Sequence, residues 1–235
     1  MDYSFIADRA EKIRERIGAA AIRSGRSPAD VELLVVTKLQ PIEAVQAAWD
    51  AGLSSFGENR VQEAEGKFPA FLAAHPLARL DMIGHIQSNK AKKAVALFSR
   101  LQSVDSSEIL IELEKCARSS DVRRELLLEL HTGEESKQGF RGADELYSAL
   151  DICLSKPDRR LEPRGLMTIA PNSGDEASVR ASFTALRRAL EGARRRFDAR
   201  LDILSMGMSG DFEIAVEEGS TLVRIGTALF GPRLP

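Results

Sequence analysis

Thiol chemistry is nearly absent from this chain: Cys116 and Cys153 are its two cysteines in 235 residues, and no Cys-x-x-Cys pair occurs. Both fall in segments with helical patterning, so they read as buried thiols in a reducing cytosol rather than as a disulfide framework. Histidine is almost as scarce. His75, His85 and His131 lie far apart, with neither H-x-x-x-H nor H-E-x-x-H spacing, which argues against a metal enzyme. An excess of one charge is missing too: 33 Lys and Arg against 35 Asp and Glu give a formal net charge of -2. Nucleic acid and acidic membrane therefore have no electrostatic case as partners, and Arg187-Arg188 and Arg194-Arg195-Arg196 read as the solvated face of one helix. No apolar run approaches the roughly 18 residues that cross a bilayer, and Met1 to Phe5 lack the apolar core of a signal peptide. A cytoplasmic location is expected. No linker rich in Pro, Gly or Ser divides the chain, so one domain over residues 1–235, acting as a monomer, is expected.

What is present is a sizeable apolar fraction, 43%, in a regular alternation. A helix is expected over Ala7 to Ser24, where Ile13, Ile17 and Ala20/Ala21 form one face before Gly25 and Pro28. Short apolar runs then alternate with longer helical patterns. Strands are expected near Leu33 to Thr37, Ser54 to Gly57, Leu80 to Ile83, Arg100 to Val104, Glu125 to His131, Pro163 to Ile169, Leu201 to Ser205 and Leu222 to Ile225. Helices are expected at about 41–52, 59–74, 88–98, 106–119, 141–155, 175–197 and 210–218, with a brief turn after Gly226. Eight βα units predict an α/β fold, a single TIM (β/α)8 barrel with an additional N-terminal helix; a doubly wound open sheet is the alternative.

The active face of such a barrel is the C-terminal rim of its strands. Polar and glycine-rich stretches collect there, among them Thr37-Lys38, Gly57-Glu58-Asn59, Gly84 to Lys90, His131 to Lys137, Ser205 to Asp211 and Arg224 to Thr227. Lys38 ends a buried apolar strand and is either a solvated rim lysine or a reactive amine. Ser209, Gly226 and Thr227 follow strands seven and eight, where barrels commonly hold phosphate because glycine lets backbone N–H groups approach its oxygens. One such loop alone would be explained by Gly207 and Gly210 supplying turns and Ser209 capping the next helix; two adjacent loops favour phosphate. Arg224, between Val223 and Ile225, needs a partner, either a carboxylate such as Glu58 or Asp211 or a ligand. An amine, a phosphate clamp and an arginine together suggest pyridoxal 5'-phosphate. An arginine facing the pyridine nitrogen leaves it unprotonated and weakens the cofactor as an electron sink.

Seven ordered motifs point the same way: Val36-Thr37-Lys38, Phe56 to Glu63, Ile83 to Lys90, Gly133 to Lys137, Gly165 to Thr168, Ser205 to Ser209 and Val223 to Thr227. With these motifs, from near Leu33 to Gly231, the chain resembles the pyridoxal phosphate homeostasis protein family (YggS/PROSC type), related to the barrel domain of bacterial alanine racemase. The resemblance implies Lys38 as the Schiff-base lysine and Asn59 beside the cofactor. It implies Ser209, Gly226 and Thr227 around the phosphate and Arg224 near the pyridine nitrogen. Met167 and Ser205, inside two of the motifs, complete the expected cofactor-binding set. The chain departs from the family's usual residues at His131 and the loop after it and at Leu80-Asp81.

A racemase needs two acid/base groups on opposite faces of its substrate. In alanine racemases the second is a tyrosine from a β-rich domain of the partner subunit, whereas Tyr3 and Tyr147 here fall in helical patterns away from the rim. The expected function is therefore a reversible carrier that buffers pyridoxal phosphate or delivers it to apo-enzymes, with no significant turnover. Residual racemase or lyase activity is the alternative. Lys137 reads as a solvated loop lysine, with a second amine for transfer as the alternative. A serine hydrolase is disfavoured, since Gly207-Met208-Ser209-Gly210-Asp211 fails the G-x-S-x-G elbow at its last position.

Overall fold

The computed structural model describes residues 2–133, 138–171 and 175–232. Helix α1 (Phe5–Arg23) buries Ile6, Ala10, Ile13, Ile17 and Ala20, the three- and four-residue spacing of one helical face. It begins before Ala7 because the Asp2 carboxylate accepts from the Ser4 N–H at 2.9 Å, placing an anion at the positive end of the helix. It is held to the helix at Phe212–Glu217 by Arg16–Glu213 and Arg23–Glu217 ion pairs.

Eight βα units follow: β1 (Glu32–Val36), α2 (Ile42–Asp50), β2 (Ser55–Glu58), α3 (Val61–Ala74), β3 (Arg79–Met82), α4 (Ala91–Leu97), β4 (Arg100–Val104), α5 (Ser107–Ser119), β5 (Arg124–Glu129), α6 (Ala143–Leu154), β6 (Leu161–Met167), α7 (Glu176–Arg196), β7 (Ile203–Ser205), α8 (Phe212–Glu217), β8 (Leu222–Ile225) and α9 (Thr227–Phe230). All neighbouring strands are parallel, and β1 pairs with β8 from Glu32↔Leu222 to Val35↔Ile225. That pairing closes the sheet, so the expected TIM barrel is found and the open sheet is excluded. No helix of the described residues is long and apolar enough to cross a membrane.

Two strand boundaries differ from expectation for identifiable reasons. Strand β6 extends back through Pro163, which lacks an N–H, because the register slips there: Leu126 pairs with Pro163 and Leu127 with Gly165, leaving Arg164 bulged. Strand β5 stops at Glu129 because the chain beyond it pairs locally, the Phe140 N–H donating to Glu129 O and the His131 N–H to Phe140 O.

One side of each strand, including Val35, Phe56, Leu80, Leu101, Leu126 and Val223, joins the apolar layer beneath the helices. The other side faces the barrel interior, and there much is polar. Arg100, 1% exposed, donates from Nε to Asp81 Oδ2 at 2.6 Å and from Nη2 to Glu32 Oε1 at 2.9 Å. Gln102 donates to the same Asp81 oxygen at 2.6 Å and accepts from Ser205 Oγ at 2.7 Å. Ser205 Oγ in turn accepts from Arg224 Nη1 at 2.6 Å. A hydrogen-bonded column thus runs inside the barrel from Glu32, which opens β1, to Arg224 near the end of β8.

Removing one partner of a buried pair leaves an uncompensated charge. Arg100→Met is therefore expected to lower stability to urea by about 3–5 kcal/mol. Adding Asp81→Asn should recover part of that loss, and strict additivity of the two single changes would contradict the coupling.

Candidate functional site

Strand β1 delivers Lys38 to the rim through a sharp turn, Thr37 to Gln40, in which the Gln40 N–H donates to Thr37 O at 3.0 Å. Lys38 lines a cavity of about 230 Å³ together with Ser209, Arg224, Gly226 and Thr227. Five of the eight residues expected from the sequence thus share one cavity. The other three stand elsewhere. Met167 and Ser205 are fully buried at the inward ends of β6 and β7, in register with each other, and Ser205 reaches the site only through Arg224. Asn59 lines a separate rim cavity with Arg60 and His85, its backbone pressed by Gly84, where an added Cβ would lie 2.4 Å from Asn59 O.

The small residues of the last two loops have specific work. Gly207 adopts φ 96° and has no room for a side chain, since an added Cβ would meet Ala215 Cβ at 2.5 Å. Ser209 does not cap the next helix, α8, as one reading of the sequence had it. Its Oγ accepts from the Gly226 N–H at 3.3 Å and the Ala228 N–H at 3.1 Å, tying the β7 loop to the β8 loop. No histidine bonds it, so a serine nucleophile lacks its base. His85 Nδ1 does meet Asp105 Oδ2 at 2.8 Å on the rim, but His85 is not among the residues lining the Lys38 cavity.

Arg224 is 4% exposed, and Asp211, one of the carboxylates the sequence offered, acts on it through its charge. It donates from Nη1 to Ser205 Oγ at 2.6 Å and from Nη2 to the Thr168 carbonyl at 2.7 Å. A guanidinium has five N–H donors, so the remaining ones can serve an acceptor in the cavity. Burial pushes its pKa down to about 10, against the fields of Glu129 and Asp211, and it remains a cation at neutral pH. Glu58 instead sits beneath the β1 turn, accepting from Thr37 Oγ1 at 2.6 Å and paired with Lys67 at 2.6 Å.

Lys67, Gln102 and Glu129 escape a reading by motif. Glu63 and Lys67 do carry a visible i,i+4 pairing at the start of a helix, whereas the inward partners Gln102 and Ser205 are set by register around the barrel. Tyr147 packs between helices: its hydroxyl donates to Ala189 O at 3.0 Å and abuts Gly192. Tyr3 stacks near Phe5 and does not line the cavity. Lys137 lies outside the described residues. Among those described, no cluster of His, Cys, Asp and Glu suits a metal ion.

Glu129 ends β5 on the inward side, in register with Met167. Burial raises its pKa from 4.5 to about 7, aided by the Asp105 carboxylate and opposed by Arg224. A carboxyl whose pKa rises on folding holds its proton more tightly when folded. Its stabilisation is present at low pH and is lost as pH climbs from about 4.5 through about 7. Glu129→Gln fixes the neutral form, so it should match the wild type near pH 4.5. At about pH 8 it should exceed the wild type by about 1–3 kcal/mol in urea denaturation, and equal stability there would refute the assignment.

Comparison with known proteins agrees with this geometry. Residues 10–234 match the family model "Alanine racemase, N-terminal domain". A pyridoxal phosphate homeostasis protein of Pseudomonas aeruginosa is 42% identical over 231 residues, covering 98% of this chain and 96% of that one. The structure of PipY from Synechococcus elongatus with PLP bound superposes with a TM-score of 0.80 at 38% identity, covering 93% of this chain and all of that one. Alanine racemase from Streptomyces coelicolor shares the fold at a TM-score of 0.71 and 21% identity; the chain spans 58% of it. By full-length identity and by fold, the chain belongs to the pyridoxal phosphate homeostasis protein family, built on the alanine racemase N-terminal domain.

Proposed function

We propose that the chain binds pyridoxal 5'-phosphate at the Lys38 cavity and carries it reversibly, as a monomer, to buffer the cofactor and deliver it to apo-enzymes. The observation that carries this reading is the convergence of an amine, two joined small-residue loops and a buried arginine on one cavity. Each fits a different part of the group. Lys38 Nζ would be the amine that holds the cofactor through its aldehyde. Ser209, Gly226 and Thr227, which line the cavity together, would surround the phosphate. Arg224 offers its remaining N–H donors to the pyridine nitrogen, held in place by Ser205 and Thr168. Asn59 would join the site from the neighbouring rim cavity, and Met167, on β6, lies beside Ser205. The PLP-bound state of PipY, at 38% identity, supports the same cofactor.

A carrier without turnover is favoured by what surrounds the amine. Among the described residues lining the cavity, Lys38 and Arg224 are the titratable ones. A guanidinium whose pKa is about 10 donates to the ring nitrogen without protonating it, so bound pyridoxal phosphate is a poor electron sink. Its chemistry when bound is then that of a protected aldehyde.

Reconstitution with pyridoxal phosphate should give a visible absorption band that Lys38→Ala abolishes, and mixing the loaded protein with an apo-enzyme should restore that enzyme's activity. Absence of the band in the wild type would refute binding through Lys38. A band without restored activity would remove delivery. Incorporation of deuterium from heavy water into the α-position of an amino acid would replace the carrier with a racemase or lyase.

A further inference from the structure

The turn that presents Lys38 is strained. Leu39 adopts φ 62°, a left-handed conformation that a β-carbon disfavours, and its side chain is 62% exposed, so little packing holds it there. The restraint comes from hydrogen bonds. Lys67 of α3 extends beneath the turn, its side chain 9% exposed, and donates to Thr37 O at 2.8 Å and to Gln40 O at 2.9 Å. Glu63, one helical turn earlier, accepts from the Leu39 N–H at 2.5 Å and from Lys67 Nζ at 3.0 Å. Glu58, fully buried, completes the seat, pairing with Lys67 at 2.6 Å while accepting from Thr37 Oγ1. The peptide before Lys38 and the carbonyl that ends the turn are thus fixed by a second lysine that does not line the cavity, and the peptide after Lys38 by Glu63.

A buried ammonium is costly to seat and requires acceptors all around it. Here two of those acceptors are carbonyls of a single four-residue turn, and a third, the Glu63 carboxylate, also accepts the Leu39 N–H inside that turn. The residue inside the turn is the one whose Cα–Cβ direction decides where an amine enters the cavity.

We infer that Lys67, seated by Glu58 and Glu63, is a positioning residue that locks the strained Leu39 turn and thereby aims the Lys38 amine at the cofactor's aldehyde. The inference rests on the reading of Lys38 as the attaching amine. Lys67 touches neither cofactor nor reacting atoms and acts through the backbone on either side of Lys38.

The test compares pyridoxal 5'-phosphate with pyridoxine 5'-phosphate, the alcohol, which uses the same ring and phosphate contacts but forms no link to an amine. In Lys67→Met, affinity for the aldehyde should fall about ten-fold or more, the equivalent of one or two hydrogen bonds. Borohydride trapping at Lys38, read by mass spectrometry, should fall with it, while affinity for the alcohol stays within about two-fold of wild type. Glycine adopts the left-handed turn without a steric penalty, so Leu39→Gly in the Lys67→Met background should restore about three-fold or more of the lost affinity. Should Lys67→Met fail to fold, Glu63→Gln keeps the cation with its Glu58 pair and weakens the Leu39 acceptor and one contact of Lys67, and a smaller loss confined to the aldehyde is expected. Equal losses for aldehyde and alcohol would overturn the inference in favour of general damage, and an aldehyde affinity unchanged in Lys67→Met would overturn it outright. A wild type that binds the two ligands equally and traps nothing at Lys38 would instead refute the attachment itself, and the positioning role with it.

Discussion

Arg224 is a cation enclosed in a closed barrel, and the C-terminal mouth is arranged around that fact. A guanidinium with 4% exposure must find acceptors nearby, and Arg224 finds neutral ones, the Ser205 hydroxyl and the Thr168 carbonyl. Ser205 is itself oriented by Gln102, and Gln102 by Asp81, whose second neighbour is Arg100. The direction of Arg224 at the mouth is therefore set by groups that reach down toward the N-terminal end of the barrel. Neutral first partners also matter chemically. A carboxylate hydrogen-bonded to Arg224 would compete with any acceptor in the cavity for the same N–H groups, whereas a hydroxyl and a carbonyl occupy two donors and leave the charge exposed to the site.

The two sides of the mouth are held by different means. Loops β7 and β8 are joined by one neutral side chain, Ser209, whose oxygen takes two backbone N–H groups and leaves the cradle without added charge. The β1 turn is held from below by a buried ion cluster of Glu58, Glu63 and Lys67. Each device suits its neighbour. A cradle for an anion loses from a nearby carboxylate, while a strained turn requires strong acceptors and donors.

These contrasts explain what the sequence disclosed and what it withheld. The barrel was legible because parallel strands buried on both faces leave apolar runs, and eight of them alternate with helical patterns such as Val179, Phe183, Leu186 and Leu190. The polarity of the barrel was legible as well, since Ser209, Gly226 and Thr227 stand out by residue type in adjoining loops. Strand ends were less so: the limit of β5 depends on Phe140, eleven positions beyond Glu129, and that of β6 on a bulge. The partners of Arg224 were only partly readable. A carboxylate such as Glu58 or Asp211, or a ligand, was expected; Asp211 acts on it through its charge, whereas its hydrogen bonds go to Ser205 and Thr168, because register around a closed barrel decides which inward residues meet. Glu58 follows Gly57 by a single position and so points to the other side of its strand, toward Lys67 on α3.

The polar column also bears on why a binding barrel tolerates so much ionisable material in its core. Asp81 is completely buried, and burial raises its pKa to about 6 despite Arg100 beside it. Glu129 is raised to about 7. Both carboxylates favour their neutral forms in the fold, so the interior is least strained in mildly acidic solution and gives up stability at neutral pH. An apolar filling of the same volume would avoid that loss. It would also leave Arg224 with no chain of partners to orient it. The sacrifice of stability inside the barrel is thus tied to holding one cation, correctly aimed, under the rim.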